Sequence, residues 1–112
     1  MRDYVEKCMA DYVESVWSNA MRYERQKKVV RRGTRVLLDL TAEKGCGTWV
    51  SRQEIESRAG LKQGTGLWPW IEAGVVDKAR GVRRVRPEFY SAMWEATSES
   101  GRRTIQTSFL RV

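Results

Sequence analysis

The chain has 112 residues, enough for one compact domain with an additional helix. Its 21 Lys and Arg against 14 Asp and Glu give a formal net charge of +7 and a pI near 9.8. This excess favours polyanionic partners such as nucleic acid, although a basic protein with a merely solvated surface has the same composition. Because the chain has no histidine, classical zinc fingers and His-based acid–base catalysis are excluded.

Other composition features narrow the class of protein. Two cysteines, Cys8 and Cys46, suggest neither a metal-ligand cluster nor a disulfide framework, and we interpret them as reduced thiols. No apolar run reaches the length of a membrane span, and the N-terminus lacks a signal-peptide core. We therefore expect a cytoplasmic protein without a membrane partner. We find no nucleophile, general base or metal signature, so we expect no enzymatic activity, no cofactor and no metal.

The first segment predicts a long amphipathic α-helix, because apolar pairs recur about every four residues. The pairs are Tyr4/Val5, Cys8/Met9, Tyr12/Val13, Val16/Trp17 and Ala20/Met21. A stripe of about five turns is longer than one small domain readily covers. The helix either wraps across the following domain or pairs with a second copy of itself. We favour a homodimer, with the dimerisation residues Val5, Met9, Tyr12, Val16 and Trp17.

The charge changes sign after this helix. Residues 1–20 have two bases and four acids, whereas residues 21–35 have one acid, Glu24, and these seven bases: Arg22, Arg25, Lys27, Lys28, Arg31, Arg32 and Arg35. Such a run is often only a solvated face, but like charges this close repel one another unless an anion neutralises them. DNA phosphate is the sharper interpretation, with contacts from Arg25, Lys28, Arg31, Arg32 and Arg35.

Gly33-Thr34 predicts a break and a fresh helix N-cap, so we divide the chain there. Residues 1–33 would hold the N-terminal helix and its basic segment, and residues 34–112 the second domain. That domain begins with a buried helix ending at Gly45, followed by a brief strand within residues 46–50. Ser51-Arg-Gln-Glu54 is the pattern of a capping box, in which the hydroxyl and the carboxylate each accept a backbone N–H.

The C-terminal part alternates between apolar and basic residues. Residues 75–86 do so around Gly81, which predicts a β-hairpin with a basic tip. Pro87 fits the first turn of a further helix, with Phe89, Tyr90, Met93 and Trp94 on its apolar side. Residues 104–112 have apolar residues at a period of two, which predicts a final strand.

This order of helix, short strand, helix, turn, helix and basic hairpin resembles the winged helix-turn-helix superfamily, over about residues 34–97. The most characteristic piece is Trp70-Ile-Glu-Ala-Gly-Val-Val76, in which an apolar helix residue precedes Ala-Gly and a Val pair opens the wing. The resemblance implies an α+β, mostly helical fold, in which the long N-terminal helix is added to a winged helix domain with a C-terminal helix and terminal strand. It also implies binding of double-stranded DNA, with a small transcriptional regulator as the leading hypothesis.

The resemblance makes residues 63–70, QGTGLWPW, the counterpart of the recognition helix. Pro69 fits only the first turn, so this helix should be short and begin around residue 65. Helical spacing turns Trp70 to the core and leaves Trp68 nearer the surface. The side chains left to touch base edges are Lys62, Gln63, Thr65 and Trp68, a poor set beside the usual Arg and Asn readers.

The predicted wing carries more charge than this helix. We expect contacts to the DNA backbone or minor groove from Lys78, Arg80, Arg83, Arg84 and Arg86, with specificity resting on DNA shape. The alternative function is a protein-interaction or assembly module, in which Trp68 and Pro69 form an apolar platform for a protein partner. RNA binding is a third option, because aromatic side chains can stack unpaired bases.

Overall fold

The fold is described here from a computed structural model, which defines residues 2–98, with side chains from residue 4 onward. In this range the chain is mostly helical and has a small antiparallel sheet, which confirms the α+β class. The elements are α1 (Arg2–Ala20), α2 (Glu24–Lys44), β1 (Val50–Ser51), α3 (Arg52–Ala59), α4 (Trp68–Glu72), β2 (Val76–Ala79), β3 (Val82–Val85) and α5 (Tyr90–Thr97). A 3-10 turn at Pro87–Phe89 precedes α5. The strand predicted at residues 104–112 lies outside the described residues.

Helix α1 packs on the rest of its own chain, against α5, α4 and α2. Val13 is fully buried, and the ring of Trp17 stacks on that of Trp70 with centroids 5.9 Å apart and planes 16° apart. The hydroxyl of Tyr12 donates a 2.7 Å hydrogen bond to the carbonyl oxygen of Ala73. Of the two arrangements that the sequence allows, the structure shows the helix wrapping across the following domain.

This packing changes which side chains are available for dimerisation. Trp17 was predicted at the interface, but its buried ring belongs to the core of its own chain. Met9 and Val16 are partly buried, whereas Val5 and Tyr12 are exposed. The homodimer stays a prediction, and it now depends on the outer part of the α1 stripe.

Helix α2 is one continuous helix of 21 residues, so the predicted break at Gly33-Thr34 is wrong. The glycine has a different purpose: a Cβ at Gly33 would collide with the carbonyl oxygen of Thr65, because the segment before α4 crosses α2 there. At the same crossing, a Cβ at Gly66 would collide with the carbonyl oxygen of Val29. Two backbones thus approach more closely than side chains would permit. The domain boundary drawn at residue 33 falls inside α2.

The sheet has the strand order β1-β3-β2, with antiparallel pairing throughout. The predicted hairpin is confirmed as β2 and β3, joined by a turn at Arg80 and Gly81 in which Gly81 has a φ of 74°. Strand β1 is shorter than predicted and pairs Val50 with Arg83 and Ser51 with Val82. None of the helices within residues 2–98 combines the length and the apolarity that a bilayer-spanning helix needs.

The capping box at the start of α3 is half formed. The Ser51 hydroxyl accepts a 3.4 Å hydrogen bond from the N–H of Glu54, as predicted. The carboxylate of Glu54 does not return to the cap but binds Lys44 at 3.1 Å and Arg58 at 3.6 Å. The interaction that closes the box is thus replaced by one ion pair to α2, from Lys44, and one within α3, from Arg58. Gly60 ends α3 in the left-handed conformation, which glycine adopts without a steric cost.

Candidate nucleic-acid interface

A row of basic side chains follows the N-terminal half of α2. Arg25, Lys28, Arg32 and Arg35 recur at helical spacing on one face, and all four are exposed. We call these four residues the α2 stripe. It extends about 15 Å along the helix, given a rise of about 1.5 Å per residue. Arg25, Lys28 and Arg32 form no ion pair with any residue between 4 and 98.

Arg35, the last residue of the α2 stripe, has partners of its own. Its Nε lies 3.4 Å from an Asp39 carboxylate oxygen, and its guanidinium lies 5.3 Å from the centroid of the Trp94 ring. Arg31, also predicted to contact DNA, lines a cleft together with Arg35, Trp94 and Ser98. Within residues 4–98, the stripe charges without an ion pair are therefore those of Arg25, Lys28 and Arg32.

Basic side chains on α3 and at the end of α2 are neutralised instead. Three ion pairs do this: Lys44–Glu54 at 3.1 Å, Arg52–Glu56 at 3.1 Å and Arg58–Glu43 at 3.2 Å. Apart from Glu24, which pairs with Lys27 at 3.0 Å, the carboxylates of α2 are Asp39 and Glu43 near its C-terminal end, whereas Arg25, Lys28 and Arg32 lie in its N-terminal half. This separation gives the surface around the α2 stripe a positive potential that net charge alone does not specify.

Arg83 does not take the role predicted for it in the wing. It is only 7% exposed, and its Nη1 donates hydrogen bonds to the carbonyl oxygens of Ala79 at 3.1 Å and Val82 at 2.8 Å. Burial lowers the pKa of Arg83, the nearby Arg52 lowers it further, and Glu56 partly offsets both. Arg83 thus holds the hairpin turn from the core side and presents little of its surface to a ligand.

Arg84 and Arg86 share one carboxylate, that of Asp77. Arg84 Nη2 lies 2.7 Å from Asp77 Oδ2, and Arg86 Nε lies 3.6 Å from Asp77 Oδ1. The Arg84 guanidinium also lies over the exposed ring of Trp49, 4.7 Å from its centroid. Arg86 Nε also lies 3.5 Å from Glu88 Oε1, so the two arginines have two carboxylate partners between them. Of the five predicted wing contacts, Lys78 and Arg80 are the two that are exposed and form no ion pair with the described residues.

The hairpin is also too short to act as a projecting wing. Its second strand pairs with β1 as far as Val82, immediately after the turn. The N–H of Arg52, at the start of α3, donates a 2.9 Å hydrogen bond to the carbonyl oxygen of Gly81. The hairpin turn therefore packs against the start of α3. Lys78 and Arg80 form a small basic patch there and not a projecting wing.

The segment before α4 differs in part from its predicted role. Lys62 and Gln63 are exposed, as contacts to bases would require. Thr65 is only 6% exposed because its backbone is pressed against α2 at Gly33, so its side chain is not available to a base edge. Helix α4 is short, as predicted, but it begins later than expected, at Trp68.

The two tryptophans of α4 face in opposite directions, as their spacing predicts. Trp70 is fully buried, whereas Trp68 is 43% exposed. Pro69 occupies the first turn of α4, where the lack of an N–H costs no helical hydrogen bond. The surface assignment of Trp68 on which both functional hypotheses depend is thus confirmed.

A groove of about 480 Å³ lies between α4 and the turn that joins α1 to α2. Its lining includes two exposed aromatic rings, two side-chain amides, one carboxylate and two apolar residues: Trp68, Tyr23, Asn19, Gln26, Glu72, Val16 and Pro69. We call it the α4 groove. The sequence did not reveal Tyr23, Asn19 and Gln26 as site residues, because only the packing of α1 on α4 brings them beside Trp68.

Comparisons with known proteins do not identify a relative. No family model, curated protein or solved structure matches the chain. Its function has to be inferred from the arrangement of its own side chains, among which the α2 stripe and the α4 groove are the main surface features.

Proposed function

We propose that the protein binds double-stranded DNA through the α2 stripe, with Lys62 and Gln63 contributing from the segment before α4. The observation that supports this proposal is that Arg25, Lys28 and Arg32 are exposed and have no carboxylate partner among residues 4–98. A DNA duplex presents one phosphate charge per about 1.7 Å of its axis, so a row of about 15 Å lies opposite several phosphates. Neutralising them releases condensed counterions, which is the main source of affinity in such contacts.

The fold that we propose for this function is the winged helix. The order α2, β1, α3, α4, β2, β3 supports it, and so does the pairing of β1 with the second strand of the hairpin. In this proposal α4 is the counterpart of the recognition helix. Its five residues, Trp68–Glu72, contain no Arg, Lys, Asn or Gln, the side chains that most often read bases in the major groove.

We therefore expect binding that depends on salt more than on base sequence. Contacts to phosphate fix the position of a protein on DNA but carry no sequence information. A small regulator that acts at a defined operator would therefore need additional selectivity from DNA shape. Any preference among DNA forms would come from the side chains of the α4 groove and of the segment before α4, and not from the α2 stripe.

The test compares two triple variants that change the net charge equally. One removes the unpaired cations through Arg25→Gln, Lys28→Gln and Arg32→Gln. The matched control removes paired cations through Lys44→Gln, Arg52→Gln and Arg58→Gln, whose exposed ion pairs contribute about 0–1 kcal/mol each to stability. Binding to one DNA duplex is then measured across a series of salt concentrations.

The stripe variant should lower the log–log salt slope by about 2–3 units, since each neutralised phosphate contributes about 0.9. The control variant should change the slope by less than about 1 unit, because its cations already have carboxylate partners. Equal slopes for the two variants would mean that overall charge, and not the α2 stripe, carries the binding.

A protein-interaction module remains the second candidate. The exposed ring of Trp68 beside Pro69 in the α4 groove supports it, because aromatic anchors in pockets dominate many protein interfaces. In that case Trp68→Ala would abolish binding of the partner while the stripe variant would leave it intact. The opposite result, with partner binding lost only in the stripe variant, would argue against this candidate.

A further inference from the structure

The α4 groove combines aromatic and amide side chains on a single concave surface. Trp68 and Tyr23 each expose a large part of their rings, and Asn19 and Gln26 line the same groove. An amide side chain offers both hydrogen-bond donors and an acceptor, the combination that the edge of a nucleobase requires. The volume of about 480 Å³ lies within the range of small-molecule pockets, about 300–1,000 Å³.

Two arginines are sequence neighbours of residues that line this groove. Tyr23 immediately follows Arg22, and Gln26 immediately follows Arg25, the first residue of the α2 stripe. Arg22 and Arg25 are exposed and form no ion pair with the residues that the structure describes. A ligand in the α4 groove that also extends along α2 must therefore tolerate or use several cations.

We propose that the α4 groove binds an unpaired base of a nucleic acid strand whose phosphates contact Arg22 and Arg25. This inference rests on the proposed DNA binding and narrows its substrate to a duplex with unpaired bases, such as a single-stranded overhang. The base stacks on the exposed ring of Trp68, while Asn19 and Gln26 hydrogen-bond to its polar edge. The α2 stripe continues along the phosphates of the adjoining duplex.

The lining of the groove favours a base over a peptide helix. A helix that docks in a groove needs apolar contacts repeated over several turns. The α4 groove instead combines two aromatic rings with two amides and the Glu72 carboxylate, which can accept a hydrogen bond from the amino group of a base. The cationic stripe begins at Arg25, the sequence neighbour of Gln26. A flat aromatic ligand with a polar edge and a negatively charged backbone matches all three features.

The experiment uses the whole chain and three DNAs with the same duplex. The first DNA is blunt, the second has a short single-stranded overhang, and the third has an overhang of equal length without bases. The second and third carry the same number of phosphates, so their difference reports base recognition alone. Both 5′ and 3′ overhangs are measured, at one fixed salt concentration.

The wild-type protein should bind the overhang with bases about tenfold more tightly than the abasic overhang, as expected for one stacked base. Trp68→Ala should abolish this preference and leave binding to the blunt duplex within about twofold. The matched control is Trp49→Ala, because Trp49 is 40% exposed but lies outside the α4 groove. This control should keep the full preference for bases.

Three results would overturn the inference. Equal affinity of the wild type for the two overhangs would exclude base recognition. An equal effect of Trp49→Ala would mean that the preference does not arise in the α4 groove. Loss of blunt-duplex binding in Trp68→Ala would place this residue on the duplex surface instead. By contrast, absence of salt-dependent binding to all three DNAs would contradict the proposed function itself.

Discussion

The indole N–H of Trp70 donates a 2.9 Å hydrogen bond to the hydroxyl oxygen of Thr34, and both side chains are buried. The two residues belong to α4 and α2 and are 36 positions apart in the chain. Because Trp70 also stacks on Trp17 of α1, a single side chain connects three helices. The stability of the whole core should therefore respond to the loss of this one contact.

Thr34→Val should destabilise the protein by about 1–3 kcal/mol, because it leaves the buried N–H of Trp70 without an acceptor. The matched control is Thr41→Val, also buried in α2. The Thr41 hydroxyl donates to the carbonyl oxygen of Leu37, which lies at the normal acceptor position of the helix, so its removal leaves no donor unsatisfied. Denaturant unfolding of both variants checks the prediction, and equal free energies of unfolding would contradict it.

Gly33→Ala should be destabilising by about 1–3 kcal/mol or more, the usual size of an overpacking effect. The sign is opposite to that expected from helix propensity, by which Ala is about 1 kcal/mol better than Gly in a helix interior. The reason is the collision of the new Cβ with the carbonyl oxygen of Thr65. An increase in the thermal midpoint of Gly33→Ala would show that the two backbones are not in close contact.

The two tryptophans of α4 should differ in their effect on stability. Trp70→Ala should cost about 3–5 kcal/mol, the usual effect of removing a large buried aromatic side chain. Trp68→Ala should cost less than about 1 kcal/mol, since an exposed side chain leaves no cavity. Thermal unfolding of both variants provides the comparison. Severe destabilisation by both would mean that Trp68 is also part of the core.

Single substitutions should separate the α2 stripe from the hairpin. Arg32→Gln should lower the salt slope of duplex binding by about 1 unit, because Arg32 is exposed and has no ion-pair partner in the described chain. Arg84→Gln should leave the slope unchanged, because Asp77 and the Trp49 ring already hold that cation. A larger effect of Arg84→Gln would mean that the hairpin, and not the α2 stripe, makes the main phosphate contact.

Self-association through α1 should be weak. The helix buries Val13 and Trp17 in its own chain, which leaves Tyr4 and Val5 as its most exposed apolar residues. We expect a monomer mass by light scattering at micromolar concentration and a dimer only at much higher concentration. Val5→Glu should then remove the dimer without changing the thermal midpoint. A concentration-independent dimer mass would contradict this prediction.

Local patterns in the sequence predicted much of the fold. The helical phase of α4 correctly separated buried Trp70 from exposed Trp68, and Gly81 correctly marked the hairpin turn. The continuity of α2 was not predictable, because the requirement for glycine at position 33 comes from the distant carbonyl of Thr65. A residue that looks like a helix breaker in sequence can instead be a contact point between two backbones.

The sequence predicted which basic residues could form the candidate site, but it did not predict which of them have carboxylate partners. The basic residues of α2 were identified, yet their importance depends on where the carboxylates lie in space, as the Asp77–Arg84 pair shows. One sequence signal indicates the burial of Arg83: it lies two residues before Val85, so both side chains face the core side of their strand. The α4 groove had no local signal, since helices distant in sequence form its walls.

The continuity of α2 couples ligand binding to the folding equilibrium. The same helix that exposes Arg25 and Arg32 buries Leu37 and Leu40 in the core, so its two halves share one set of backbone hydrogen bonds. A polyanion bound only by the folded helix stabilises the native state by RT ln(1 + [L]/Kd). At a ligand concentration of about 100 times Kd this amounts to about 2.7 kcal/mol. The thermal midpoint would thus report occupancy directly, and core variants such as Thr34→Val would be rescued by DNA at low salt.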